Sequence, residues 1–236
     1  MHQLQCQKSP LSLKEGAIFI SDAHYHPGLR EELLGFLEWV DAPQIFFMGD
    51  IFDLLVGKVT FTKQSNKKAI DLLQKLSQKT QCFYLEGNHD FLLHDLFPQM
   101  QVFSRYNQPV MCQVGQKSVA LAHGDIYIGG LYKFYIDLLH KDAIITTLNL
   151  MDIKGWISKK IQKYNGGKNL CKEIADFENI ALQRLQHYDV DIVIEGHFHQ
   201  RKIFTFGKQK YINLPSFGCS LEFLRYERDE FSFSRM

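Results

Sequence analysis

Five short apolar runs in this sequence end the same way. "AIFI" is followed by Ser21-Asp22-Ala23-His24, "IFFM" by Gly49-Asp50, and "CFYLE" by Gly87-Asn88-His89-Asp90. "SVALA" is followed by His123-Gly124-Asp125, and "DIVIE" by Gly196-His197-Phe198-His199. Carboxylates, imidazoles and one amide oxygen suit borderline divalent ions such as Mn²⁺, Fe²⁺, Co²⁺ or Zn²⁺. The candidate donors are Asp22, His24, Asp50, Asn88, His123, His197 and His199. They exceed one ion's needs and include no thiolate, so two ions sharing a carboxylate fit better. Two ions about 3.5–4 Å apart are a recurrent device for attack on a phosphoryl centre.

Each motif alone is ordinary. An isolated D-x-H is more often a cap or surface turn, an isolated G-D marks a turn, and an isolated His123 reads as a hydrogen-bonded core histidine. With 16 Gly and 10 His in 236 residues, G-H-x-H arises by chance about 0.03 times in such a chain. Five motifs in series, each closing an apolar run, therefore point to a single site.

The elements that must position these residues follow from periodicity. Residues 16–20, 44–48, 82–86, 117–122 and 191–195 read as buried strands, and 29–40 and 67–79 have helical spacing. From Lys202 onward, apolar runs alternate with Gly, Asn and Pro turn signals, so the tail reads as strands and loops. Strand–helix–strand order suggests an α/β core. In such sheets ligands gather beyond the carboxyl ends of the strands, and glycines there let the chain turn and approach a ligand closely. The segment 126–187 is instead a long helical excursion, rich in aliphatic, aromatic and Lys residues. It reads as a cap inserted into a core of 1–125 and 188–236.

Composition bounds the rest. The chain is 45% hydrophobic, ample for a core, and its 27 Lys+Arg nearly balance 26 Asp+Glu, which argues against a bulk nucleic-acid binder. Cys6, Cys82, Cys112, Cys171 and Cys219 are odd in number, widely spaced and form no C-x-x-C. Neither a disulfide framework nor a zinc ribbon is expected. With no apparent signal peptide or apolar span, the reading is a reduced, cytoplasmic protein.

The ordered set D-x-H, G-D, G-N-H-D, H-G-D and G-H-x-H, from 22 to 199, resembles the signature of the calcineurin-like metallophosphoesterases. The resemblance implies a fold of mixed α+β and α/β character: a β-sandwich flanked by helices with a helical cap insertion, rather than one doubly wound sheet. It implies two divalent ions, with Mn²⁺ the first expectation. Asp22, His24 and His199 would hold one, Asn88, His123 and His197 the other, and Asp50 would bridge them. His89 would stabilise charge or protonate the leaving group during direct hydrolysis, and Asp90 would orient His89.

"GDIFD", "GNHDFLL" and the insertion after "HGD" further resemble the UDP-2,3-diacylglucosamine pyrophosphohydrolases of lipid A synthesis. That family cleaves its substrate to UMP and 2,3-diacylglucosamine 1-phosphate, and its cap carries an N-x-x-K element matched here by Asn165 and Lys168. Substrate contacts implied for this chain are Asn88, His89, Asn165, Lys168 and His197. The implied partner is a nucleotide-sugar lipid, with no nucleic acid, and the apolar, Lys-bearing cap suits the inner-membrane surface. His89 stands where that family usually has Arg, and "GGLYK" lacks an acid that the family carries after H-G-D. The alternative is a phosphodiesterase or phosphatase acting on soluble nucleotides or other phosphate esters. A non-catalytic scaffold, as in the retromer subunit of this fold, predicts missing ligands, whereas all seven are present.

Overall fold

The structure, a computed structural model, describes residues 9–139 and 141–236. Its strands are β1 (Leu11–Ser12), β2 (Ile18–Ile20), β3 (Gln44–Phe47), β4 (Leu55–Val56), β5 (Gln81–Leu85), β6 (Asp90–Phe91), β7 (Gln101–Phe103), β8 (Val110–Val114), β9 (Lys117–Ala122), β10 (Ile192–Glu195), β11 (Gln200–Phe206), β12 (Gln209–Pro215), β13 (Glu222–Glu227) and β14 (Glu230–Arg235). Its helices are α1 (Glu32–Trp39), α2 (Thr60–Ser65), α3 (Lys67–Ser77), α4 (Gly130–Leu139), α5 (Asp142–Met151), α6 (Trp156–Gly166), α7 (Phe177–Leu185) and α8 (Phe217–Ser220).

Two six-stranded sheets form, ordered β1-β8-β9-β10-β12-β11 and β14-β13-β2-β3-β5-β7. Strands β2, β3, β5 and β7 run parallel, as do β9, β10 and β12, so each sheet has a parallel centre with antiparallel strands beside it. Near-continuous apolar runs are what strands covered on both faces require. Side chains alternate between the two covers. Ile18, Ile20, Ile45, Phe47, Cys82 and Tyr84 pack with residues of α1 and α3. Phe19, Phe46, Phe83 and Leu85 instead meet Val119, Leu121, Ile194 and Ile212 of the facing sheet. Phe19, Phe46 and Phe83 stack across three strands at 4.8 and 4.7 Å between ring centroids. Each fully buried Phe contributes about 1.5–3 kcal/mol. Helix α7 covers the outer face of the second sheet, packing Phe177, Ala181 and Leu185 against Ala120, Val193 and Tyr211. The result is the helix-flanked sandwich that the motifs imply.

The helical excursion therefore divides. Helices α4–α6 stand over the edge where the motif-bearing strands end, whereas α7 belongs to the layered core. The excursion is docked by Thr60 N–H donating to Asn149 Oδ1 (2.8 Å) and by Ile145 packing with Leu54, Val56, Val59 and Phe91. Among the described residues no helix is long and apolar enough to cross a membrane.

The expectation that the cysteines form no disulfide framework needs one correction: Cys171 and Cys219 are bonded, 48 residues apart in sequence. The pair is created by tertiary folding, so spacing carries no trace of it. Cys82 and Cys112 are free and buried, and Cys6 lies outside the described residues.

A buried ion pair ties α7 to the end of β10. Arg184 donates to both carboxylate oxygens of Glu195, at 2.9 and 2.5 Å, and the hydroxyls of Tyr188 and Tyr211 donate to the same carboxylate. Arg184→Ala would leave Glu195 buried without its counter-charge, so unfolding free energy should drop by about 3–5 kcal/mol. Urea denaturation measures this as a lower midpoint; an unchanged midpoint would show that the pair carries no stability.

Candidate active site

The carboxyl ends of β2, β3 and β5 in one sheet and of β9 and β10 in the other converge on one edge of the sandwich. Each delivers its motif there. Asp22, His24 and His199 place ligand atoms within 4.8 Å of one another, and so do Asp50, His123 and His197. Asp22 Oδ1 lies 3.0 Å from His199 Nε2 and 4.0 Å from His24 Nε2. Asp50 Oδ2 lies 3.5 Å from His123 Nε2, whose other close neighbour is Asn88 Oδ1 at 3.3 Å. The seven expected donors thus lie close together, Asp22 with His24 and His199, and Asp50 with His123 and His197 and with Asn88 beside them. A third close group is His24, Asp53 and His89.

The site is held under local strain. Asp22, His24, Asp50, His197 and His199 all adopt left-handed backbone, with φ between 45° and 64°, at a cost of order 1–3 kcal/mol each. Close approach is equally demanding. A Cβ on Gly87 would lie 2.2 Å from Asp50 Oδ1, and one on Gly49, itself at φ 87°, would lie 2.4 Å from His123 Nδ1. The glycines after the strands are needed as much for these side chains as for turning.

Imidazole orientation is set by backbone carbonyls, which only accept. His123 Nδ1–H donates to Met48 O (2.9 Å), and His199 Nδ1–H donates to Leu170 O (3.0 Å). Their Nε2 atoms therefore face the carboxylates, the arrangement that outer groups impose on metal-ligating histidines. His89 Nδ1–H donates to Asp53 O (2.8 Å), and Asn165 Nδ2 donates to the same oxygen (3.1 Å). Lys168 Nζ stands 3.4 Å from His89 Nε2. The two residues singled out in the excursion thus reach His89.

The role expected of Asp90 is corrected. Its carboxylate does not orient His89. It accepts from the backbone N–H groups of Asp50 (3.0 Å), Ile51 (2.6 Å), Phe52 (3.1 Å) and Gly87 (3.0 Å) and from the Tyr84 hydroxyl (2.6 Å). A short acidic side chain facing a tight loop satisfies donors that the turn leaves unpaired, so Asp90 shapes the loops that bear Asp50 and Asn88. Several supporting groups escaped sequence reasoning. Gln108 Oε1 accepts from His123 N–H, Ser216 Oγ–H donates to Asp22 O, and Asn213 Nδ2 donates to Glu195 O and Gly196 O while its Oδ1 accepts from Gln200 N–H. His197 N–H donates to Asp22 Oδ2, joining one sheet's loop to the other sheet's ligand.

Electrostatics divides the donors. Burial pushes His24 down to about 3 and His197 down to about 4, so both are neutral, as metal ligation requires. Burial would lower His123 and His199 too, but Asp50 and Asp22 respectively overcome it and raise both. Burial would raise the Asp22 carboxyl, yet the charge and hydrogen bond of His199 hold it at about 2. The donor set fits divalent ions: two ionised carboxylates, an amide oxygen and imidazoles whose free nitrogens converge. His123 and His199 must shed protons when an ion takes their Nε2. Mn²⁺ affinity should therefore rise with pH from 6 to 8 and weaken as pH falls. Calorimetry in buffers of different ionisation heat should find net proton release on binding; pH-independent affinity without proton release would contradict this protonation pattern.

Residues 17–201 match the Calcineurin-like phosphoesterase family model. A UDP-2,3-diacylglucosamine hydrolase of Coxiella burnetii (strain RSA 331 / Henzerling II) is 28% identical over 230 residues, covering 90% of this chain and 93% of its own. One from Vibrio cholerae serotype O1 (strain ATCC 39315 / El Tor Inaba N16961) is 28% identical over 204 residues, covering 79% and 82%. Among solved structures, Yfce, a phosphoesterase from E. coli, is similar with a TM-score of 0.47 at 15% identity, over 92% of this chain and 90% of that one.

Proposed function

Because the chain belongs to the calcineurin-like phosphoesterase family and is a metal-dependent phosphoester hydrolase, we propose that it cleaves the pyrophosphate bond of UDP-2,3-diacylglucosamine, giving UMP and 2,3-diacylglucosamine 1-phosphate. The observation that carries this reading is an apolar cavity of about 640 Å³ that opens beside Asn88 and His89. Leu54, Val56, Val59 and Phe91 form its floor, and Ile136, Leu139, Ile145, Leu148, Trp156 and Ile161 of α4–α6 form its walls. Asn165 and Lys168 stand at its polar end. Such a space suits hydrocarbon chains next to a phosphate-binding centre. The names carried by the Coxiella and Vibrio relatives agree.

In this reading Asp22, His24 and His199 would hold one ion, Asn88, His123 and His197 would hold the second, and Asp50 would be shared. Bound ions supply activation of water and neutralisation of charge at phosphorus, with Mn²⁺ the first candidate. The remaining work falls to side chains. His89 is fixed through Nδ1, so its Nε2 would face the reacting phosphate, where the doubly protonated ring can act as hydrogen-bond donor or acid. Lys168, beside it, adds a positive donor, and Asn165 keeps the Asp53 carbonyl and His89 in register. Asn88 and His197 would meet both an ion and the phosphate.

The reading places the protein in the cytoplasm, on the inner-membrane surface. Leu150, Met151, Ile153 and Trp156 are exposed on the excursion beside Lys154 and Lys160, a pairing of apolar and cationic groups suited to an anionic bilayer. On this reading 1–125 and 188–236 are assigned to the core and 126–187 to an insertion, of which α4–α6 form the cap and α7 packs on the sheet.

Purified protein with Mn²⁺ should release UMP from the diacylated substrate with kcat/KM at least about a hundredfold above that for UDP-glucosamine lacking acyl chains, since each buried methylene contributes about 0.8 kcal/mol. His89→Ala should lower kcat by about 10²–10⁴-fold. Turnover of soluble diesters with no gain from acylation would sink the lipid reading and leave the general phosphoesterase activity standing.

A further inference from the structure

The Cys171–Cys219 bond lies where it can act on the site. Cys171 belongs to the irregular stretch 167–176 between α6 and α7. That stretch also carries Lys168, whose Nζ is 3.4 Å from His89 Nε2, and Leu170, whose carbonyl fixes His199 through Nδ1 at 3.0 Å. Cys219 lies on α8. The first N–H groups of α8 lead back to the opposite ligand: Phe217 N–H donates to Ser21 O (3.0 Å) and Gly218 N–H to Asp22 O (3.2 Å). The disulfide therefore staples the segment that orients His199 to the segment that backs Asp22. Those two side chains meet at 3.0 Å in one ligand group.

Apart from the bond, the stretch is held by the buried Leu170 side chain, by Ile174 packed against the α7 cluster, and by few hydrogen bonds. Lys168 N–H donates to Asn165 O, Ile174 N–H to Gln200 Oε1, and Gln200 Nε2 to Lys172 O. Both bonded cysteines are solvent-exposed, which is the setting of a labile rather than a buried structural disulfide. The other described cysteines are ill suited to exchange with it. Cys82 and Cys112 are buried, and burial pushes each thiol up to about 12, so neither offers a thiolate at neutral pH.

We propose that Cys171–Cys219 is a reversible thiol–disulfide exchange site whose state sets how firmly the Asp22, His24 and His199 group holds its ion and where Lys168 stands; this rests on the reading of that group as a metal site, not on the identity of the substrate. The reactant is a dithiol reductant. One of its thiolates attacks an exposed sulfur, the S–S bond breaks, and the mixed disulfide is resolved by the reductant's second thiolate. Two electrons pass to the protein, the dithiol ends as its own disulfide, and its two protons end on the Cys171 and Cys219 thiols. Reduction loosens the 167–176 stretch, and the Leu170 carbonyl holds His199 less firmly.

The full chain, oxidised or reduced with dithiothreitol and desalted anaerobically, would be labelled with iodoacetamide and titrated calorimetrically with Mn²⁺. Mass spectrometry should find Cys171 and Cys219 unlabelled before reduction and both labelled after. Reduction should weaken one of two Mn²⁺ sites about tenfold, the scale seen when an outer partner of a ligating histidine is lost, and leave the other unchanged. Hydrogen exchange of 167–176 should accelerate. The C171S/C219S protein should match the reduced state and ignore oxidant. Equal Mn²⁺ affinity and exchange in both states, or cysteines that label without reductant, would overturn the proposal. Failure of Mn²⁺ to bind in either state would remove the metal reading beneath it, and the proposal with it.

Discussion

Two carboxylates, Asp22 and Asp50, are buried where the two sheets meet, at 0% and 3% exposure, and the molecule around them keeps them ionised. Burial alone would protonate them. His199 and His123 oppose that from either side, each aimed by a backbone carbonyl of a different segment. Neutral His24 and His197 complete the two donor groups. Buried carboxylates lined by imidazoles suit divalent cations, and those cations would in turn neutralise the negative charge that develops on a phosphoryl group.

Holding this arrangement requires backbone that the sequence would not otherwise choose. Five ligand residues sit in left-handed conformations, and glycine is required where ligand side chains press on the chain. The strain is offset by buried polar groups that tie loops together. Asp90 gathers four backbone donors and a tyrosine hydroxyl, Asn213 clamps both ends of the Gly196–His199 turn, and Ser216 and the His197 amide secure Asp22. The aromatic stack of Phe19, Phe46 and Phe83 gives these loops a stiff base, because it fixes the strands whose ends they extend.

What could be read from the sequence follows from this division. Metal-type donors announce themselves by residue type, and their placement after apolar runs puts all seven at strand ends. The supporting groups left no such mark. Gln108, Ser216 and Asn213 act on backbone atoms far away in sequence, and the Leu170 carbonyl is indistinguishable from any other. Asp90 illustrates the limit: its adjacency to His89 suggested side-chain pairing, whereas alternation along β6 turns it toward the loops beneath. The packing of α7 on the sheet and the Cys171–Cys219 pair are likewise products of tertiary folding. Helical periodicity revealed an apolar excursion, but not that its helices would leave a cavity open to His89.

The central claim is that two ions share Asp50 at the junction of the sheets. Electron paramagnetic resonance of Mn²⁺-loaded protein tests it most directly. The account predicts two ions per chain whose spectrum is that of a spin-coupled pair, as for ions about 3.5–4 Å apart, with the coupling lost in Asp50→Ala. A single ion, or two uncoupled ions in the unaltered protein, would contradict it.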